Sequence, residues 1–273
     1  MLAIHLRRLS IPMSRILSLL ACVAVLAGCS TGLKIDSDHP SKNHDSRSQV
    51  IVLHYTGTDF EHSLQLLTQG EVSAHYLIDR NPAKVYSLVD ENRRAWHAGE
   101  SSWKGRTWLN SSSIGIEMVN PGYTIDSTGK RTFYAFSDEQ IDQLILLLKD
   151  IMQRQGLGPE AVVGHSDIAP QRKVDPGAAF PWKRLADAGL VLWPDSASVA
   201  RAQAVYDRQM PDAAWFQAQL AQFGYEVPRD GQFDEATKNV IAAFQMRFRP
   251  ARYDGQPDAQ TAAMLWVLNN TRR

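Results

Sequence analysis

Cysteine is scarce in this chain of 273 residues: only Cys22 and Cys29 are present, and both lie near the N-terminus. A disulfide framework is therefore excluded for the rest of the chain, whose stability must come from packing and from any bound metal. An excess of basic charge is also lacking, since acidic and basic residues number 29 each. The chain therefore has no excess of positive charge that would favour nucleic acid as a partner. The length fits one full-sized domain and a smaller one.

A hydrophobic run long enough to cross a bilayer is missing as well. The apolar stretch at 16–27 is too short to span a membrane, but it follows three arginines and suits the apolar core of a secretory signal. It ends in the sequence Leu-Ala-Gly-Cys at 26–29, which resembles the lipobox of bacterial lipoproteins. The resemblance implies that residues 1–28 are a signal peptide and that Cys29 carries a lipid anchor. With Ser30 next to it, the protein is expected at the outer membrane, facing the periplasm.

Composition and periodicity divide the remaining chain into four segments. Residues 29–49 are polar and predict a flexible tether between anchor and domain. Apolar strand patterns alternate with helical patterns over residues 50–193, which indicates an α/β domain. Residues 194–210 fit a linker that has room for a short helix. Residues 211–273 contain three helical runs and predict a small C-terminal three-helix domain.

Short apolar runs predict the strands of the α/β domain. A buried strand is expected at 50–53, because a β-branched apolar run stops there at a histidine and a turn-prone segment. Alternation predicts a second strand over 72–78, which forms a hairpin with residues 85–88. A further strand is expected at 114–119.

The clearest helix signal begins at Ser137. Its side chain can cap the helix while Gln140 reaches back from the third helical position, and the pattern continues until Gly156. In the C-terminal segment, Asp-Gly-Gln-Phe-Asp at 230–234 recurs as Asp-Gly-Gln-Pro-Asp at 254–258. The second aspartate of each copy is suited to cap the helix that follows it.

Position discriminates among the histidines of the α/β domain. His62 falls in a predicted helix and is most simply a solvated residue, whereas His75 lies in a predicted strand and fits a structural role. His54 and His165 each follow a predicted strand, where loops carry chemistry. These two are therefore the better candidates for a functional pair.

Two imidazoles and one carboxylate form the ligand set of many catalytic zinc sites. His54, His165 and Asp175 would supply such a set and leave the fourth tetrahedral position open for water or substrate, which predicts a hydrolase. On spacing alone, Asp175 can equally well begin an Asp-Pro-Gly turn. The residues by themselves leave both alternatives open.

Four motifs occur in order along the chain: His-Tyr-Thr at 54–56, Trp-His-Ala-Gly at 96–99, Ser-Ile-Gly-Ile-Glu at 113–117, and the stretch from Gly164 to Gly177. Together they resemble the amidase-2 class of zinc N-acetylmuramoyl-L-alanine amidases, which includes bacteriophage amidases and peptidoglycan recognition proteins. The resemblance implies an α/β fold with a central mixed β-sheet flanked by helices. The C-terminal segment resembles helical peptidoglycan-binding modules.

The resemblance also implies the roles of individual residues. One Zn²⁺ per chain is expected on His54, His165 and Asp175. Glu117 would transfer protons, and the Lys173 ammonium would stabilise the oxyanion. The implied reaction is hydrolysis of the amide between N-acetylmuramic acid and L-alanine in peptidoglycan or its muropeptide fragments, by a monomer.

Two rival functions remain open at this stage: a non-catalytic peptidoglycan receptor, and a zinc peptidase that cuts within the stem peptide. His97 is expected to contact substrate, with Trp96, Trp103 and Trp182 as candidates for the groove wall. Some phage relatives carry a tyrosine where this chain has Ala74, which leaves more of the proton transfer to Glu117.

Overall fold

The computed structural model of the protein describes residues 34–270. Residues 34–45 contain no helix or strand, and a separate compact unit begins at Ser46. The expected signal peptide and Cys29 lie outside the described residues. Within residues 34–270, no helix has the length and apolar character that crossing a membrane requires.

Strands and helices alternate through the first part of the compact unit, and helices alone form its last part. In chain order the elements are β1 (Val50–Tyr55), α1 (Phe60–Gln69), β2 (Tyr76–Ile78), β3 (Val85–Ser87), β4 (Ser102–Trp103), β5 (Arg106–Thr107), β6 (Ser113–Met118), β7 (Tyr123–Ile125), β8 (Arg131–Phe133), α2 (Asp138–Gln155), β9 (Val162–Gly164), α3 (His165–Ile168), α4 (Trp182–Asp187), α5 (Ser196–Tyr206), α6 (Ala213–Phe223), α7 (Glu235–Phe248) and α8 (Ala259–Asn270).

Five strands form a central mixed sheet in the order β3-β2-β6-β1-β9. The strands β2, β6, β1 and β9 are parallel to one another, and the edge strand β3 is antiparallel to β2. The register places His54 beside Glu117 on β6, and Leu53 beside Gly164 at the end of β9. The mixed sheet expected from the family resemblance is confirmed, and its central strands end at one edge.

Alternate residues of β1 enter two different cores. Ile51 and Leu53 belong to a core that α2 covers, whereas Val50 and Val52 belong to a core shared with the C-terminal helices. The second core includes the buried aromatic and aliphatic side chains of Phe216, Leu220, Phe223, Phe244 and Phe248. A strand that is buried on both faces reads as a continuous apolar run, as residues 50–53 do. The C-terminal module is thus one of the two layers that cover the sheet.

The helix predicted after Ser137 is confirmed as α2. The Ser137 hydroxyl accepts a hydrogen bond from the Gln140 amide at 3.2 Å, and Gly156 ends the helix in the left-handed conformation at φ 66°. The Gln140 side chain does not reach back to Ser137, however. It is buried and donates to the carbonyls of Ile78 and Val119, at 3.0 and 3.1 Å.

The strand predicted over 72–78 is wrong for its first four residues, since only 76–78 are extended in the sheet. The Ser73 amide donates to the Trp96 carbonyl at 3.0 Å instead of continuing a ladder. The hairpin with β3 is confirmed, with Tyr76 opposite Ser87. The strand predicted at 114–119 is confirmed as β6, shifted by one residue.

The end of the expected tether belongs to the compact unit. Arg47 donates to the Glu91 carbonyl at 2.8 Å, Ser48 is buried, and the Gln49 amide donates to the Ser112 carbonyl at 2.8 Å. Sequence composition does not distinguish a polar residue that hydrogen-bonds to loop carbonyls from one that is exposed to solvent. Composition therefore places the start of the domain four residues too late.

The expected linker contains an ordered helix. In α5, Val199 packs against Ala263 and Val267 of α8, so this helix joins α6, α7 and α8 as a fourth member of the C-terminal module. The capping role of the repeated aspartates is confirmed. Asp234 accepts from the Thr237 amide at 2.7 Å, and Asp258 accepts from the Thr261 amide at 2.8 Å.

Candidate active site

His54, His165 and Asp175 converge at the edge where β1 and β9 end. The Nδ1 atoms of the two histidines are 2.9 Å apart, and each lies 3.0 Å from Oδ2 of Asp175. All three residues are buried, and His54 is only 1% exposed. The structure thus brings together two strand-end imidazoles and a carboxylate from the loop that follows α3.

Asp175 is held against α3 by the backbone. The Ser166 amide donates to the Asp175 carbonyl at 2.8 Å, and a Cβ on Gly164 would lie 2.7 Å from Cδ of Pro176, so the close approach requires glycine. Burial alone would raise the pKa of the Asp175 carboxyl. The neighbouring imidazoles of His165 and His54 instead hold that pKa below its ordinary value. Asp175 is therefore an ionised carboxylate.

Hydrogen bonds away from the cluster fix which nitrogen of each imidazole carries the proton. Nε2 of His165 donates to the Ala98 carbonyl at 3.1 Å, which leaves Nδ1 with a lone pair. Ser113 donates to the Leu109 carbonyl, so its oxygen accepts from Nε2 of His97 at 3.2 Å. Nδ1 of His97 then accepts from Nε2 of His54 at 3.1 Å. Both Nδ1 lone pairs face the Asp175 carboxylate.

The structure places His97 in the lining of the cavity beside the cluster, and its expected contact with substrate stays a prediction. Both of its ring nitrogens are engaged with protein partners. Burial, followed by the charge of His54, lowers the pKa of His97 well below its ordinary value and keeps the ring neutral. A Cβ on Gly115 would overlap this ring, which explains a glycine in the middle of a buried strand. His97 orients His54.

The donor set fits a tetrahedral zinc ion. Ligand nitrogen and oxygen atoms about 2.0–2.1 Å from zinc stand ~3.3 Å from one another, close to the separations of this cluster. Lone pairs of two neutral imidazoles and an anionic carboxylate that face one point would repel each other without a cation between them. His54 remains uncharged near neutral pH, because burial, and then the proximity of the second imidazole, His165, lower its pKa to about 4. The residues present therefore fit the metal that the family resemblance implies.

Glu117 lies beside His54 in the sheet register. Its Oε2 atom is buried and has no hydrogen-bond partner among the described residues. Burial, and then the negative charge of Asp175, raises the pKa of Glu117 to about 8, although the Lys173 charge acts in the opposite direction. A carboxyl with such a pKa can both take up and release a proton near neutrality.

A cavity of about 430 Å³ opens onto the three converging side chains. Glu117 and Lys173 line it together with Tyr55, Trp96 and Tyr123. Trp96 is 50% exposed, and the Arg94 guanidinium lies over its ring at 4.1 Å. An ammonium, a carboxyl and aromatic faces therefore share one space with the candidate metal ligands.

Other candidate residues lie elsewhere. Trp103 and Trp182 are buried in the core and do not line the cavity. His62 is exposed on α1, as expected. The His75 ring accepts from the Gly115 amide at 2.9 Å through Nδ1, in keeping with its expected structural role.

The sequence offered no signal for several residues that support the site. Ser113 lies within a recognised motif, but its role as the acceptor for His97 depends on the fold. Asp167 likewise lies in the motif around His165, and its partners Tyr225 and Arg247 come from the C-terminal module. Partners so far away in the chain have no spacing pattern that could reveal them.

Two family models match the chain in its two parts. Residues 44–178 match the model described as N-acetylmuramoyl-L-alanine amidase, and residues 209–265 match a model for a peptidoglycan binding domain. The first match contains the converging histidines and the aspartate. The second covers helices α6 and α7 and the first half of α8.

Characterised relatives match over most of the chain. N-acetylmuramoyl-L-alanine amidase AmiD of Escherichia coli K12 is 42% identical over 271 residues, which are 94% of this chain and 98% of that protein. The 1,6-anhydro-N-acetylmuramyl-L-alanine amidase AmpD of Enterobacter cloacae is 32% identical over 179 residues, 56% of this chain and 90% of that protein.

Two solved structures share this arrangement of elements. The complex of E. coli AmiD with anhydro-N-acetylmuramic acid-L-Ala-D-gamma-Glu-L-Lys superposes with a TM-score of 0.78 at 41% identity, covering 87% of this chain and 95% of that one. AmpDh3 of Pseudomonas aeruginosa in complex with anhydromuramic pentapeptide gives a TM-score of 0.81 at 41% identity, covering 87% and 98%.

Proposed function

The chain belongs to the N-acetylmuramoyl-L-alanine amidase family and hydrolyses the amide between N-acetylmuramic acid and L-alanine of peptidoglycan, and we propose that it does so with Zn²⁺ held by His54, His165 and Asp175. The observation that carries this assignment is the convergence of their three ligand atoms in the lining of the cavity. When bound there, zinc supplies a Lewis acid and lowers the pKa of a coordinated water to roughly 7.

Glu117 is proposed as the proton carrier. Its carboxyl shares the cavity with the converging ligands, and its unpartnered oxygen is free to bind the attacking water. The carboxylate takes a proton from that water as the carbonyl carbon is attacked. It then returns the proton to the departing amide nitrogen, so that L-alanine leaves as a neutral amine.

Lys173 is proposed to stabilise the negative charge that develops on the carbonyl oxygen. It lies two residues before Asp175 and lines the same cavity. A fixed ammonium aimed at developing charge in a water-poor site is among the larger catalytic effects that a protein can supply. Its positive charge also counteracts the rise in the Glu117 pKa.

The stem peptide is proposed to lie in the 430 Å³ cavity, against Trp96 and Tyr123. Both solved relatives were crystallised with muropeptides, which supports a muropeptide as the ligand of this chain as well. A receptor without catalysis would need neither a proton carrier nor an ammonium beside three metal ligands. That argument sets aside the non-catalytic reading of the sequence.

The C-terminal module is proposed to bind the peptidoglycan polymer. A groove of about 590 Å³ between it and the catalytic domain is lined by Trp108, Arg172, Val227 and Ala236 among others. Trp108 is 63% exposed, and its face suits a sugar ring. Because Arg172 lines both the groove and the active-site cavity, a glycan strand in the groove would keep its stem peptides close to the site. Trp108→Ala should reduce co-sedimentation with insoluble murein.

We place the protein at the outer membrane, held by a lipid on Cys29 and facing the periplasm. The support is the lipobox-like sequence at 26–29, followed by the polar stretch up to residue 45. A monomer is expected. Metabolic labelling with a fatty acid, followed by comparison with Cys29→Ala, tests the anchor, because only the unchanged chain should take up the label.

Product analysis tests the proposed function. Purified murein is incubated with the protein, with protein treated with a chelator, and with treated protein resupplied with zinc, and the released material is identified by mass spectrometry. We expect stem peptides that begin with L-alanine, release that stops with the chelator, and recovery with zinc. Release unaffected by the chelator would overturn the zinc assignment. Fragments that leave L-alanine on the sugar would instead identify a peptidase.

A further inference from the structure

Asp167 lies two residues after His165, in the single turn of α3, and is 1% exposed. Its Oδ2 atom accepts from the Gly164 amide at 2.8 Å and from Nη1 of Arg247 at 2.7 Å. Its Oδ1 atom accepts from the Tyr225 hydroxyl at 2.5 Å. One carboxylate therefore joins the backbone just before His165 to two side chains of the C-terminal module.

Arg247 contacts the chain on both sides of His165, through one side chain and one backbone carbonyl. Besides Asp167, it donates from Nη2 to the Val162 carbonyl at 3.0 Å, at the start of β9. Its guanidinium lies 4.4 Å from the ring centre of Trp182, and the residue is only 3% exposed. The arginine is thus fixed by packing as well as by hydrogen bonds.

The same loop is contacted at a second point. The Gln171 side chain donates to the Ala236 carbonyl at 2.9 Å and accepts from the Asn239 side chain at 3.0 Å. Both of these partners lie on α7. The segment from His165 to Asp175, which carries two of the three converging side chains, is therefore held by the C-terminal module near its start and near its middle.

A helix of one turn has too few internal hydrogen bonds to be stable alone, so the orientation of α3 depends on its tertiary contacts. Metal ligands must also be placed to within a fraction of an ångström, and groups that orient them typically contribute about 10–100-fold to metal affinity. Buried ion pairs often contribute little to stability itself. The contacts of Asp167 with Arg247 and Tyr225 are therefore better explained as a means of orienting His165 than as a source of stability alone.

We propose that Arg247 and Tyr225 are positioning residues of the metal site and that they act through Asp167 to orient His165. The C-terminal module is then part of the catalytic apparatus, in addition to any contact that it makes with the polymer. The inference rests on the proposed assignment of His165 and Asp175 as metal ligands.

The test measures zinc affinity by competition with a chromophoric chelator, together with the visible spectrum of the cobalt-substituted protein. Tyr225→Phe removes one hydrogen bond to Asp167 and leaves the ion pair intact. The double variant D167N/R247M removes the pair without leaving a buried charge. Tyr253→Phe is the matched control, because it also removes a tyrosine hydroxyl contact of the C-terminal module with the catalytic domain, at the Arg131 carbonyl, 2.9 Å away.

We expect zinc binding to weaken about 10-fold in Tyr225→Phe and up to about 100-fold in the double variant, with altered cobalt spectra in both. Tyr253→Phe should match the unchanged protein. If Tyr225→Phe keeps the original affinity and spectrum, the proposal is overturned, even if its melting temperature falls. Tyr225→Phe decides the matter alone if the double variant does not fold. Separately, an unchanged zinc affinity in His165→Ala would overturn the ligand assignment itself, and the positioning role with it, whereas a loss of affinity in His165→Ala but not in Tyr225→Phe would overturn the positioning role alone.

Discussion

The Nδ1 atoms of His54 and His165 are 2.9 Å apart, yet the backbone that carries them is held in two different ways. His54 lies on β1, which is hydrogen-bonded on both sides, to β6 and to β9. His165 and Asp175 lie on a one-turn helix and the loop after it, where partners from the C-terminal module replace a strand ladder. One half of the site is built by the sheet, and the other depends on a second layer of the protein.

The two halves differ in which residues fix the orientation of their side chains. In the sheet half, the partners of His54 are local to the catalytic domain: His97, then Ser113, then the Leu109 carbonyl. In the loop half, the decisive partners are far away in the chain. We therefore expect the sheet half to tolerate changes in the C-terminal module and the loop half to respond to them.

The largest expected effect comes from removing a proposed metal ligand in either half. His54→Ala and His165→Ala should each lose tight zinc binding and reduce kcat/KM by at least about 1000-fold, because two remaining ligands cannot hold a catalytic zinc. Metal content of the purified variants and turnover of a muropeptide check this. Retention of zinc by one variant alone would show that the halves contribute unequally to the metal.

Next in size is the effect of changing Glu117, the proposed proton carrier, which lines the cavity beside both halves. Glu117→Gln should keep its zinc and lose about 100- to 10,000-fold in kcat, because a neutral amide cannot accept the proton from water. Metal analysis beside steady-state kinetics separates the two effects. A variant with near-normal kcat would exclude Glu117 as the proton carrier.

A smaller effect sharpens the comparison within the sheet half. Ser113→Ala removes the acceptor of His97 Nε2 and loosens the chain of hydrogen bonds that orients His54. We expect zinc affinity to fall about 10-fold or less, since the strand still fixes the His54 backbone. The measurement is the same chelator competition that is applied to Tyr225→Phe. A loss greater than that of Tyr225→Phe would reverse the order of the two halves.

The last expected effect concerns stability without metal. The pKa of Glu117 is about 8 in the folded protein, against 4.5 ordinarily, so the folded state holds a proton that the unfolded state has lost between those pH values. The contribution of Glu117 to stability must therefore fall as pH rises from 4.5 to 8. In chelator, Glu117→Gln should unfold at a higher denaturant concentration than the unchanged protein at pH 8, and the difference should vanish near pH 4.5. A difference that does not vary with pH would contradict the raised pKa.

Much of the architecture follows from local patterns in the sequence. The apolar run at 50–53 and the cap at Ser137 depend on neighbouring residues, and both predictions are confirmed. The strand predicted at 72–75 failed because a hydrogen bond to Trp96, twenty-three residues later than Ser73, competes with the ladder. Alternation of residue types cannot reveal that competitor.

The candidate site divides in the same manner. Residue type, strand ends and family resemblance led to His54, His165 and Asp175, which the structure brings together. The place of His97 beside His54 could not be foreseen, because it depends on the space left by Gly115 in a neighbouring strand. Arg247 could not be foreseen either, since an arginine in a helix reads as a solvated residue until its partner is known.

Val50 and Val52 share a core with the C-terminal helices. This shared core limits how the C-terminal module of this enzyme can be exchanged for that of another protein. A detachable binding module could be exchanged between proteins by joining chains at a linker. Here a cut at residues 194–210 would expose one face of the sheet and leave the Asp167 carboxylate without Tyr225 and Arg247. A chimaera with a foreign tail would need to reproduce that face, so the two parts must be engineered together.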